Sequence, residues 1–315
     1  MRNGGASHER PSMRKKKSLR IDPSLRLGQQ PTARRWTASF TKKTAPDGNH
    51  DESTMHTRFV TPLEYAATVS QNREIFLLNF SKDFRRFDGL LNELQTVSLR
   101  VTRERDSKGA SHVSLLVPLG ILIRHCMFGF QQLVSYQSFL AWLAFRPGLE
   151  ALLIMGKWIE DPNTARIWSE RDTEPGRYQR TFSGRALLSR SLSRSAEFRR
   201  VLGRLNDEFV HPNPYFAFRE TSLREASAET MVVETRFFDD RPELHEAHLL
   251  AYLHLLDLMV TTCDGLFTKL FGAREASVGA ARPTVAADEG ERAKSLAQRH
   301  PLAKKIMEEL GLWQF

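Results

Sequence analysis

The sequence predicts a mainly α fold: a multi-helix bundle with a small β strand or hairpin excursion and a disordered basic N-terminal tail. Three observations predict it. Apolar residues recur at i, i+3, i+4 and i+7 through most of residues 61–272, the signature of helices with one buried face. Proline follows a capping residue at Thr61-Pro62 and Asp161-Pro162, and opens a long apolar segment at Pro242, which is how helices begin. Only ETMVVETRFFDD, residues 229–240, alternates enough to suggest a strand or hairpin. No internal repeat of fixed period is present.

The elements follow in order. Residues 1–46 hold 12 Lys+Arg against 2 Asp+Glu, are rich in Ser, Gly and Pro, and lack apolar periodicity. Such a tail cannot bury enough surface to offset chain entropy, so residues 1–57 are expected to be disordered. It has no continuous apolar h-region of a secretory signal, and Met55 is a plausible alternative start. The bundle proper is assigned to residues 58–272. Thr61 as N-cap and Pro62 as N1 open a helical run that reaches about Val101, followed by a charged loop, TRERDSKGAS. The apolar stretch VSLLVPLGILI stops at Arg124 and His125, short of the ~18 to 20 residues of a membrane span, and reads as a core helix. It is expected to continue to Asp161 with a kink at Pro147.

A short helix capped by Asp161 follows, then a loop around TEPGRYQRTFSG, then the helices GRALLSRSLSRS and SAEFRRVLGRLNDEFV. In the last of these, Phe198, Val201, Leu202, Leu205 and Phe209 form one stripe. Pro242 opens a long helix ended near Gly272. Residues 273–290 read as an Ala/Gly/Pro linker and 291–315 as a C-terminal amphipathic helix.

Charge narrows the partners. The chain carries +9 overall, but beyond residue 46 there are 34 basic and 35 acidic residues, so the basicity resides in the tail. That tail is suited to contact with nucleic acid or anionic lipid. Two cysteines, Cys126 and Cys263, lie in apolar runs and read as buried thiols of a reducing, cytoplasmic compartment. Phosphate-loop, dinucleotide-binding and nucleophile-elbow motifs are missing from the sequence, and no cofactor is implied. In ELHEAH the position of a zincin's second histidine is Leu249, so His245 and His248 read as surface or interface residues and no metal is expected.

Three constellations remain. Arg146 and Glu150 are i, i+4 neighbours on an otherwise apolar helix. They form either a plain ion pair or the polar lining of a cavity. Residues 166–204 contain ten arginines against four acids, while 205–257 carry eleven acids against four arginines. The guanidinium fork suits phosphate, but neutralisation within the chain or across a dimer is the expectation. Finally, NDEFVHPNPYF puts His211 where a helix meets Pro-Asn-Pro. Proline sterics and the helix dipole account for that shape without any chemistry.

RPGLEALLIMGKWIEDPNTARIW with LNDEFVHPNPYF resembles a diffuse group of bacterial all-helical proteins of unknown function. These pair an Arg-Pro-x-x-Glu helix and an Asp-Pro junction with a His-Pro-Asn element. The likeness covers residues 110–270 and implies that Arg146, Glu150, His211 and Asn213 belong to one ligand-binding site. More distantly, Arg204-x6-His211 is similar to the Arg-x(4–6)-His motif of HEPN domains, whose ribonucleases place arginine on phosphate charge and histidine on the 2′-hydroxyl proton. Here Leu205 and the Pro-Asn-Pro segment depart from that pattern.

Two functions are therefore expected in contest. One is a non-enzymatic ligand-binding or interaction module, cytoplasmic, not inserted in a membrane and suited to homodimerisation. The other is a HEPN-like metal-independent ribonuclease or RNA-binding protein of stress or phage defence, with Arg204 and His211 catalytic.

Overall fold

The computed structural model describes residues 61–103, 114–209, 237–272 and 288–315 in full. Ten α-helices lie among these residues: α1 Pro62–Asn79, α2 Ser81–Arg103, α3 Leu116–Val134, α4 Ser138–Glu160, α5 Asn163–Ser169, α6 Pro175–Phe182, α7 Ser195–Leu205, α8 Pro242–Phe271, α9 Ala287–Arg299 and α10 Pro301–Gly311. The mainly α class holds. Strands β1 Arg35–Thr41, β2 Thr54–Arg58, β3 Thr221–Ser227 and β4 Thr230–Arg236 form one sheet in the order β2-β1-β4-β3. The expectation of a disordered tail falls on residues of which little else is described, and residues 273–286 of the expected linker lie outside the described residues.

Capping chemistry sets the starts. The Thr61 hydroxyl accepts from the Glu64 amide while Glu64 accepts from the Thr61 amide, a reciprocal capping box with Pro62 in the first turn. The N-cap of α5 is Pro162 and not Asp161 as expected; the Asp161 carboxylate accepts the Asn163 amide at 3.0 Å from one residue further out.

Several boundaries differ from the sequence expectation. The first helical run breaks at Phe80 (φ −124, ψ 32), giving α1 and α2. The expected continuous core helix is a hairpin of α3 and α4, because Tyr136 adopts φ +58 and reverses the chain between Val134 and Ser138. TEPGRYQRTFSG contains α6 instead of a loop, with Pro175 at its first position. GRALLSRSLSRS supplies only a 3₁₀ turn, Gly184–Leu187; the serines beyond it compete with helix by bonding nearby backbone, as the Ser189 hydroxyl does in accepting the Ser191 amide at 3.2 Å. Pro301 splits the C-terminal helix into α9 and α10.

α8 is the central post. Leu249, Leu253, Leu256, Val260 and Phe267 are all buried, and α2, α4 and α10 pack around it. α10 lies so close that a Cβ on Gly311 would stand 2.6 Å from the Ala251 Cα. The α3–α4 hairpin carries the other half of the core, with Trp142, Phe145 and Leu149 fully buried. By length and composition α3, α4 and α8 are each sufficient to cross a membrane. Since α3 runs through Arg124 and His125 to Val134, shortness alone does not argue against a span.

Candidate functional site

The candidate site is built on a partly exposed stripe of α4. Phe139, Leu143, Arg146 and Glu150 recur at i, i+4, i+7 and i+11, one face of the helix. Pro147 lies inside α4 and removes the amide that would bond the Leu143 carbonyl. The His125 Nδ1–H of α3 donates to the Ala144 carbonyl at 2.8 Å, bracing the hairpin beside the proline. A carbonyl only accepts, so this bond fixes the His125 tautomer.

Opposite that stripe, α7 ends in a π-helical turn over Asn206–Val210. Such turns widen the backbone and recur at functional sites. The turn brings Asn206 to α4, where the Arg146 Nε donates to the Asn206 side-chain oxygen. Phe209 in the same turn stacks on Phe139, with centroids 5.5 Å apart. Arg146 Nη1 stands 3.7 Å from the Glu150 carboxylate, longer than a direct hydrogen bond, and the two side chains are 29% and 31% exposed. Tyr178 of α6 closes the polar end. Burial and then the Glu150 carboxylate push its phenol above the usual value, with Arg171 and Arg146 opposing.

The structure thus brings Arg146 and Glu150 together with Asn206 and Tyr178, neither of which the sequence singled out. His211 and Asn213 lie outside the described residues, although His211 directly follows the π turn. Arg204 faces elsewhere: its guanidinium pairs with Glu309 of α10 at 3.3 Å and Glu208 at 3.9 Å.

His245 and His248, expected at the surface, are 0% and 1% exposed, and this expectation is corrected. They sit on the same stripe of α8 as Tyr252 and Met259, spaced to face the core. The Trp142 indole donates to His248 Nδ1 at 2.9 Å. The Asp239 carboxylate takes three contacts: the Ser138 amide at 3.1 Å, the Ser138 hydroxyl at 2.5 Å and His245 Nδ1 at 2.8 Å. Burial pushes the Asp239 carboxyl up, but the hydrogen bond and charge of His245 outweigh it and hold the carboxyl below its usual value.

Serine, histidine and aspartate side by side invite comparison with a nucleophilic triad, which needs nucleophile and acid on opposite ring nitrogens. Here Ser138 Oγ, at 3.4 Å, and Asp239 share Nδ1, while the buried His245 Nε2, beside the Tyr136, Phe76 and Phe80 rings, has no hydrogen-bond partner among the described residues. The node ties the α3–α4 corner to the start of α8; it is not arranged for acyl transfer. No group of three or more His, Cys, Asp or Glu side chains is placed to hold a metal among the described residues.

A second charged assembly joins α2, α8 and α9. Arg292 reaches Asp83 at 3.0 Å and Glu246 at 2.9 Å, and Arg86 reaches Asp257 at 3.2 Å and Glu289 at 3.8 Å. Burial raises the carboxyls of both Asp83 and Glu289, with the arginines opposing.

No family model, curated protein or solved structure matches this chain.

Proposed function

We propose that this protein is a non-enzymatic, cytoplasmic helical-bundle module that binds a small polar ligand bearing an anionic group at the part-exposed Arg146 and Glu150 of α4, beside the π turn. The observation that carries this reading is the state of Arg146. Its Nε is fixed by Asn206, its terminal nitrogens make no hydrogen bond among the described residues, and the side chain is about one-third exposed. A guanidinium held at one edge and open at the other is preorganised for a carboxylate or phosphate. Glu150 offers an acceptor for a ligand hydroxyl or amine one turn away, and Leu143, with the partly buried Phe139 that stacks on Phe209, supplies apolar surface at the other end. His211 and Asn213, which follow the π turn along the chain, are the expected further polar members.

The absence of membrane insertion belongs to the same proposal. It is supported by how the apolar faces of α4 and α8 are used: 61% and 67% of their most apolar windows are buried by neighbouring helices. α8 also carries His245, His248 and Asp257 within its span, groups that hydrocarbon disfavours.

The ribonuclease reading asks Arg204 to face a phosphate, whereas its guanidinium is engaged by two carboxylates. One experiment addresses both readings. Thermal melting of the full chain is followed with adenosine 5′-monophosphate and with acetate, for wild type, Arg146→Gln and His211→Ala, beside an RNA-cleavage assay of all three. The nucleotide at ~100 Kd is expected to stabilise wild type by about 2.7 kcal/mol. Arg146→Gln is expected to lose that response, and cleavage is expected to stay at background throughout. Equal stabilisation of wild type and Arg146→Gln, or cleavage that disappears in His211→Ala, sinks the proposal.

A further inference from the structure

Nine of the ten arginines between Arg166 and Arg204 divide into two sets. Five are paired with carboxylates: Arg166 with Glu170, Arg171 with Asp172, Arg177 with Glu174, Arg194 with Glu197, and Arg204 with Glu208 and Glu309. Three acids of the stretch expected to neutralise the rest are engaged elsewhere. Asp239 holds His245, Glu246 holds Arg292 and Asp257 holds Arg86. Arg180, Arg185, Arg190 and Arg200 are exposed, and their side chains have no hydrogen bond or ion pair among the described residues.

The fold gathers these four. The tenth arginine, Arg199, donates from Nε to the Gly184 carbonyl at 3.0 Å, setting α7 against the 3₁₀ turn that carries Arg185. The Ser189 amide donates to Ser195 Oγ at 3.0 Å, folding the loop that carries Arg190 onto the start of α7. Arg180 lies in the last turn of α6, close in sequence to Gly184. The result is a lobe with four exposed arginines that form no ion pair among the described residues, and with not one lysine between Asn163 and Phe209. Arginine alone, in that number, suits groups that accept a planar fork, and phosphate is foremost among them.

We propose that the α6–α7 lobe docks the phosphodiester backbone of a single-stranded nucleic acid through Arg180, Arg185, Arg190 and Arg200. The inference is independent of the proposed site on α4. An acidic protein segment is the competing occupant. It is less suited because carboxylates on the lobe itself already pair with the neighbouring arginines and leave these four untouched.

The test uses the full chain, basic tail included, and fluorescence anisotropy of a labelled oligouridylate of about 20 nucleotides. One variant carries R180Q, R185Q, R190Q and R200Q. A control carries R166Q, R171Q, R177Q and R194Q, which removes the same charge from arginines already paired. The first variant is expected to bind at least ~10-fold more weakly, with the slope of log K against log salt shallower by about 0.7 for each phosphate no longer neutralised. The control is expected to change affinity by less than about 3-fold. The proposal is overturned by equal losses in both variants, which leaves net charge as the cause. It is overturned by no loss in the first, which assigns binding to the tail. Polyglutamate of matched charge binding as tightly as the oligouridylate overturns it too, in favour of an acidic protein. Both variants change exposed side chains, so melting temperatures close to wild type verify that folding is intact.

Discussion

Two regions of this molecule are built from arginines and carboxylates, and they use them in opposite ways. Between α2, α8 and α9, Arg86 and Arg292 face Asp83, Glu246, Asp257 and Glu289, with the side chains of Asp83 and Arg86 only 3% and 6% exposed. On α4, Arg146 and Glu150 are about one-third exposed, stand 3.7 Å apart and are steadied by a single side chain, Asn206. Charges taken out of water and satisfied by one another lock helices together, and removing one strands the others. Charges left at the rim contribute little to stability and keep their donors for a partner. The first region is a joint, and the second is the proposed site.

The largest expected effect tests the joint. Arg292→Ala leaves Asp83 buried without its main partner and is expected to cost about 3 kcal/mol of unfolding free energy, the lower end of the range because Arg292 itself is 30% exposed. The loss is expected to shrink below neutral pH. The folded-state carboxyl of Asp83 is already raised by burial, and without Arg292 it rises further, so protonation relieves the stranded charge. Chemical denaturation of wild type and variant at two pH values measures both. A loss below about 0.5 kcal/mol would mean that the assembly is a surface feature like the pair on α4.

A smaller effect comes from His254. Its ring stacks on Trp313 at 4.3 Å, and burial lowers its folded pKa below the ordinary 6.5. The unfolded chain therefore binds the proton more tightly. Stability is full above about pH 6.5 and falls as the pH drops from there towards the folded value. Asp239, also lowered, adds a loss at more acidic pH, while the raised carboxyls of Asp83 and Glu289 act in the opposite sense. In His254→Phe the decline just below pH 6.5 is expected to be shallower than in wild type. Unchanged pH dependence in the variant removes His254 from the account.

The sequence makes some of this contrast legible. On α2 the apolar stripe Phe87, Leu90, Leu94, Val97 and Val101 projects back onto Asp83, with Arg86 beside it, and a charge on a core stripe requires a buried partner. The same reasoning places His245 and His248 inside, on the stripe of Tyr252 and Met259; a surface assignment overlooks that register. Arg146 and Glu150 could be found because they interrupt an apolar helix. Asn206 and Tyr178 could not. Their arrival depends on a π turn and on a short helix within a Gly/Pro segment, both settled by packing between elements distant in sequence. The reversal at Tyr136 was hidden for a related reason: a left-handed tyrosine has no local signal, and its conformation is held by the contacts that Ser135, Ser138 and Asp239 make around it.

The central claim, that Arg146 and Glu150 are held for a ligand and not for the fold, is tested most directly by a double-mutant cycle. Unfolding free energies of wild type, Arg146→Gln, Glu150→Gln and the double variant give their coupling energy. A site predicts a coupling of about 0.3–0.5 kcal/mol, that of an exposed i, i+4 pair. A coupling above about 2 kcal/mol would contradict it and make the pair a second joint.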